Sequence, residues 1–187
     1  MNKHIAIFII AVLIVAIGFG GYYMAKTITG KATSESGNKV VLETNYGNIV
    51  IQMRSDMPIT AGNFVGLAKK GKYDGVIFHR VIDGFMIQGG DPTGTGYGDR
   101  SIPMIPDEFE GVQENNRGTI SMANAGPNTG SSQFFLNLVD NNFLDGKHPV
   151  FGDIVEGMDV IDKIAKVATD RADKPLKEVK ILKAKVL

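Results

Sequence analysis

The apolar positions of the chain change period near residue 40. Ile5 to Ala25, IAIFIIAVLIVAIGFGGYYMA, is a run of 21 residues without a charge. At helical rise this run is long enough to cross the hydrocarbon core of a bilayer. Lys3 and His4 precede it, Tyr22 and Tyr23 stand where an interfacial aromatic belt would lie, and Lys26 closes it. An uncleaved transmembrane anchor, residues 1–26, is the favoured reading. A cleaved secretory signal is the alternative, although signal cores are shorter and end at a small-x-small site. Lysines lie on both sides of the span, so charge leaves its orientation open. The shortness of the leading piece favours its staying in the cytoplasm, with the rest of the chain outside. Residues 27–39, TITGKATSESGNK, are small and polar and read as a flexible tether.

From Val40 the runs are short and alternate. VVLETNYGNIVIQM is two apolar-rich runs around Asn45-Tyr46-Gly47-Asn48, a hairpin pattern. Pro58 to Lys70 spaces Ile59, Phe64, Val65, Leu67 and Ala68 as a helix does, and Gly71 follows as a stop. GVIFHRV, FMIQGG, GTISMA, SQFFLNLV and PVFGDIV read as further strands. Gly157 to Val167 reads as a second helix, and VKILKAKVL as a closing strand. No repeat of fixed period appears. The pattern is mainly β, about eight strands and two helices with glycine-rich turns. It predicts a closed eight-stranded antiparallel β-barrel over residues 40–187, capped by two α-helices and preceded by the N-terminal hydrophobic helix.

Charge and composition narrow the chemistry. The chain has 20 basic and 20 acidic residues. With the three lysines of residues 1–34 set aside, 17 basic residues face 20 acidic ones, a balance of about −3 that gives no case for nucleic acid. There is no cysteine, hence no disulfide, thiol nucleophile or thiolate metal site. His4, His79 and His148 are too scattered for a zinc set, and no metal or other cofactor is expected. Gly94 to Gly98, GTGYG, lacks the Lys-Ser/Thr of a phosphate loop and precedes no helical pattern, so it reads as an ordinary loop. Ser131 and Ser132 sit in no nucleophile elbow.

One stretch holds a charge among apolar residues: FHRVIDGFMIQGGD, where Arg80 lies between Phe78, Val81, Ile82, Phe85, Met86 and Ile87. A charge so placed is costly unless paired or used. His79 neighbours Arg80 on a strand and should face the other way. Phe134 and Phe135 are likewise adjacent, so one can enter the core while the other lines a surface pocket.

FHRVIDGFMIQGGD, SMANAGPNTGSSQFF and FLDGKHPVFG, with GTGYG between the first two, together resemble the cyclophilin family of peptidyl-prolyl cis-trans isomerases. The resemblance runs from about Val40 to the C-terminus and suggests a membrane-anchored or exported prokaryotic form. It implies an eight-stranded barrel with two helices, isomerisation of X–Pro bonds in proline-containing polypeptides, and a monomeric catalytic domain without cofactor. Arg80 matches the family's catalytic arginine, and Gln88 the glutamine beside it, which would steady the guanidinium. Phe85, Met86, Phe135, Leu144 and His148 match the walls of the proline pocket. Ala123, Asn124 and Gln133 match the groove for the substrate backbone. Phe143 takes the position where many members have tryptophan: the aromatic wall is kept and the indole N–H is absent.

Overall fold

Eight antiparallel strands and two helices follow one another in the computed structural model, which describes residues 39–187. The expected N-terminal span and almost all of the tether lie outside the described residues. Lys39, expected in the tether, is the first residue of β1 and pairs with Gln52. Among the described residues no helix is long and apolar enough to cross a membrane.

Strands β1 (Lys39–Thr44) and β2 (Gly47–Met53) form the predicted hairpin, with Thr44 opposite Gly47 and a turn at Asn45-Tyr46. The turn is held by Thr44, whose hydroxyl donates to the Gly47 carbonyl and accepts from the Tyr46 amide. Helix α1 (Pro58–Lys69) begins on a proline, whose missing N–H costs nothing in a first turn. Its N-terminus has no side-chain cap of its own. The buried Glu108 carboxylate supplies one, accepting from the amides of Ile59 (3.1 Å) and Thr60 (2.9 Å), where the helix dipole favours negative charge.

The remaining strands are β3 (Arg80–Ile82), β4 (Met86–Gly89), β5 (Thr119–Met122), β6 (Phe134–Asn137), β7 (Val150–Glu156) and β8 (Ile181–Val186). Helix α2 (Met158–Ala165) follows β7. The sheet order is β3-β4-β6-β5-β7-β2-β1-β8, and every pairing is antiparallel. The expected strand GVIFHRV is mostly not part of this ladder, because its first residues bond elsewhere. Gly75 and Phe78 amides donate to the carbonyls of Ile181 and Val179, and the Ile181 amide donates to Val76. The edge strands β3 and β8 do not pair with each other. In place of the continuous ladder of a closed barrel, these bonds and the bridge Ile77–Lys180 join the residues before β3 to β8 and its approach.

The core lies against one face of the sheet. Phe64 of α1 packs on Tyr73, Phe134 and Phe151 with ring centroids 4.9, 5.3 and 5.4 Å apart. Helix α1 packs against β8 and β7, and α2 against β2, β3 and β4. Strands β5 and β6 are buried at every position, and so on both faces. Something besides the core must therefore cover their second face.

Candidate active site

What covers it follows from register. Cross-strand partners in an antiparallel sheet share a face. Arg80 pairs with Gln88, Gln88 with Phe135, and Phe135 with Ser121, so these four form one row across β3, β4, β6 and β5. Met86, two residues before Gln88 and opposite Asn137, lies on the same face. Val81, Ile87, Phe134, Leu136 and Ile120 alternate to the other face and belong to the core. Met86 (2% exposed) and Phe135 (5%) are as buried as core residues yet stand outside that cluster. They line a second apolar layer on the outer face. Phe134 and Phe135 thus divide as the strand period requires.

Two aromatic contacts build the layer outward. Phe135 meets His148 edge to face, with centroids 5.4 Å apart. Phe85 stacks on the exposed Phe143 at 5.8 Å. His148 Nδ1 lies 3.1 Å from the Met122 carbonyl. A carbonyl only accepts, so Nδ1 carries the proton. Residues 142–144 form a short 3₁₀ turn, not anticipated from sequence, and the Leu144 carbonyl accepts the His148 amide at 3.1 Å.

Beneath these walls runs a polar network. Asn141 Nδ2 donates to the Phe85 carbonyl (3.0 Å) and to Asn137 Oδ1 (2.8 Å). Asn137 Nδ2 donates to Ser121 Oγ (3.2 Å) and Thr119 Oγ1 (2.9 Å), and Ser121 Oγ donates to Asn115 Oδ1 (2.7 Å). Asn115 donates its backbone and side-chain N–H to Asp145 Oδ1. Burial disfavours the Asp145 charge, but bonds from Asn115 and Asn142 outweigh it and hold the carboxyl below its ordinary value. Sequence reading missed Asn115, Ser121, Asn137, Asn141 and Asp145. The one available signal was the density of Asn and Asp between Asn137 and Asp145, in a chain stretch that should otherwise be a plain turn.

The substrate-groove candidates also converge. Ala123, Asn124, Gln133 and Gln88 line a groove of about 520 Å³, overhung by Gly96 and the exposed Tyr97. The Ala123 amide donates to the Gln133 carbonyl (3.0 Å), and Asn124 Nδ2 to the Lys147 carbonyl (2.8 Å). GTGYG is a loop, organised by the buried Asp91. That carboxylate accepts from Thr93 N and Oγ1, Thr95 Oγ1, Gly96 N and Gly98 N. The glycine before it, Gly90, has φ +83°, and a Cβ there would sit 2.5 Å from the Ser132 carbonyl oxygen. No other residue fits that approach.

One expected contact is absent. Gln88 does not hold Arg80. Its Nε2 donates to Gln133 Oε1 (2.9 Å), and Gln133 Nε2 donates to the Gly96 carbonyl (3.0 Å). Gln88 stands between Arg80 and Phe135 in the register, and its side chain turns to Gln133, just before β6, instead of to Arg80. Arg80, on the half-exposed edge, donates from Nε to Asp173 Oδ2 at 3.4 Å. His79 turns away from it and is buried. Desolvation pushes its pKa down, Lys174 and Arg80 push the same way, and Asp91 opposes them, so the ring is neutral near pH 7.

The family model described as cyclophilin type peptidyl-prolyl cis-trans isomerase/CLD matches residues 39–186. The chain belongs to this family. Among cyclophilins it resembles, ppi1 of Schizosaccharomyces pombe is 49% identical over 152 residues, covering 79% of this chain and 98% of that protein. The isomerase CYP18-2 of Arabidopsis thaliana is 46% identical over 153 residues, covering 80% and 93%. The crystal structure of a Cryptosporidium parvum cyclophilin type isomerase superposes with a TM-score of 0.77 at 34% identity, covering 80% of this chain and 97% of that one. The same protein crystallised in the presence of the dipeptide Ala-Pro gives 0.76 at 35%, covering 80% and 98%. These cyclophilins are eukaryotic and lend no support to the expected prokaryotic, membrane-anchored form. In this cyclophilin the matched blocks fall on the outer row, its aromatic walls and the adjoining groove.

Proposed function

We propose that the domain catalyses cis-trans rotation about X–Pro bonds of polypeptides, with Arg80 acting on the twisting amide and the outer apolar layer holding the proline ring. The observation that carries this is the single outer face of the sheet that bears both an accessible guanidinium and the buried Met86 and Phe135. Rotation breaks no bond, so no nucleophile, metal or acid–base pair is needed. The barrier of about 18–20 kcal/mol reflects lost amide resonance. As the amide twists, its nitrogen becomes pyramidal and regains a lone pair. It accepts a hydrogen bond only near the transition state, so a donor aimed there lowers the barrier without tightening the ground state. A guanidinium stays charged and presents its N–H groups in a fixed fork. One preorganised donor of this kind contributes about 3–4 kcal/mol where water is excluded. Phe85, Met86, Phe135, Leu144 and His148 grip the ring and keep water out. Ala123, Asn124 and Gln133 receive the substrate backbone, and Gln88 orders that groove through Gln133.

The residues before the domain tether it to the extracytoplasmic side of a membrane, a reading supported by the uncharged run Ile5–Ala25. Substrates are then exported chains whose folding waits on slow prolyl isomerisation. The alternative is a tethered module that binds proline segments without turning them, favoured only by the phenylalanine at position 143. Exchange between cis and trans forms of an Ala-Pro peptide, followed by NMR with catalytic amounts of the domain, decides between them. Accelerated exchange is expected; binding without acceleration would sink the catalytic reading.

A further inference from the structure

We infer that Asp173 is the positioning residue for Arg80: it anchors Nε and so aims the two terminal nitrogens of the guanidinium at the substrate. This rests on Arg80 acting on the amide. Asp173 lies 93 positions away in the chain, and its placement beside Arg80 is built rather than incidental. Asp170 folds the turn that carries it. Asp170 Oδ1 accepts the amides of Ala172 (2.8 Å) and Lys174 (3.0 Å), and its backbone N–H donates to the Lys174 carbonyl (2.9 Å). The Asp173 amide donates back to the Asp170 carbonyl (3.1 Å). The turn then docks on β3 itself, because the Asp173 carbonyl accepts the Val81 amide at 2.8 Å. Asp173 therefore grips β3 twice, by its backbone at Val81 and by its carboxylate at Arg80.

Asp173 has φ +61°, in the left-handed region where glycine would be unstrained. Asp and Asn tolerate this region better than other side chains, so the turn presents its carboxylate at modest backbone cost. The space around Arg80 shows what an anchor is needed for. A recess of about 440 Å³, lined by His79, Thr95, Gly96, Ala172 and Lys174, opens beside the guanidinium. Without a partner on Nε, a half-exposed arginine has this second place to go. Gln88 turns its N–H to Gln133 rather than its oxygen to Arg80, and the side-chain bond that Arg80 makes is the one to Asp173. With Nε engaged, the remaining N–H groups stay free for the substrate carbonyl and the proline nitrogen.

The test compares Asp173→Gly and Asp173→Asn in the otherwise intact chain. Glycine relieves the backbone and removes the carboxylate, so the melting temperature should hold or rise. A misaimed donor should lower kcat about five- to twentyfold with KM within about twofold. Asparagine tolerates the same φ and keeps an acceptor oxygen, so it should recover much of the loss. The Arg80 Nε–H resonance should exchange with water faster in the glycine variant than in the parent. Full kcat in Asp173→Gly, or no recovery in Asp173→Asn, would overturn the inference. Arg80→Ala assayed alongside separates the two failures. If it too keeps activity, the role of Arg80 is wrong; if it is inactive while Asp173→Gly is not, only the role of Asp173 is wrong.

Discussion

Arg80 and Asp173 are 44% and 42% exposed at their side chains. An ion pair so open contributes little to stability, about 0–1 kcal/mol. Its value lies in direction, not in holding the fold. The same exposure leaves the guanidinium within reach of a polypeptide. Phe143 is exposed as well, and its stack on Phe85 keeps a flat wall without a polar edge. Phe143→Trp preserves the stack and adds an indole N–H. One added neutral hydrogen bond is worth about tenfold in affinity. An Ala-Pro peptide titrated against both proteins should bind the variant about tenfold tighter, with isomerase turnover little changed; equal affinities would show that the indole donor is not what the site lacks. No group of the proposed mechanism exchanges a proton. Turnover should therefore stay flat between about pH 6 and 9, and a bell-shaped profile would point to acid–base catalysis instead.

At the scale of elements, the loop after β4 carries a dependence on pH. Burial disfavours the Asp91 charge, but bonds from Thr93, Gly98 and Gly96 more than offset it, and the carboxyl is held below its ordinary value. A depressed folded-state pKa gives stability that is present above the unfolded value and lost as pH falls through the folded one. Asp91→Asn turns two acceptor oxygens into one and faces the amides of Gly96 and Gly98 with a donor. It should cost about 1–3 kcal/mol at neutral pH. Its urea midpoint should then fall less than the parent's on acidification below about pH 5. Parallel acid curves for the two proteins would show that Asp91 is not the titrating group. Sequence displayed GTGYG as a loop, yet gave no hint that one carboxylate gathers it, because five short-range bonds leave no periodic trace. The hairpin and both helices were legible, since each follows from a local period and a local stop. The expected strand through Gly75 was not, because its bonding partners lie about a hundred residues onward at Val179 and Ile181.

At the scale of the whole molecule, strand order brings the site together. Arg80 and Phe135 are far apart in sequence and two strands apart in the sheet, with Gln88 between them. Because β5 and β6 are covered on one face by the core and on the other by Phe135, Met86 and the polar network, the site is a second layer of the fold. Motif matching reached the residues of that layer. It could not reach the partner of Arg80, which comes from a turn whose placement depends on the whole sheet. The central claim is that this layer presents one guanidinium to a twisting amide. The measurement that tests it most directly is the rate of X–Pro isomerisation by Arg80→Ala, taken with its melting curve. The expected result is a loss of about 10²–10³ in kcat/KM with an unchanged melting temperature, since the residue is half-exposed and outside the core. Turnover near the parent value from a folded Arg80→Ala protein would contradict the account.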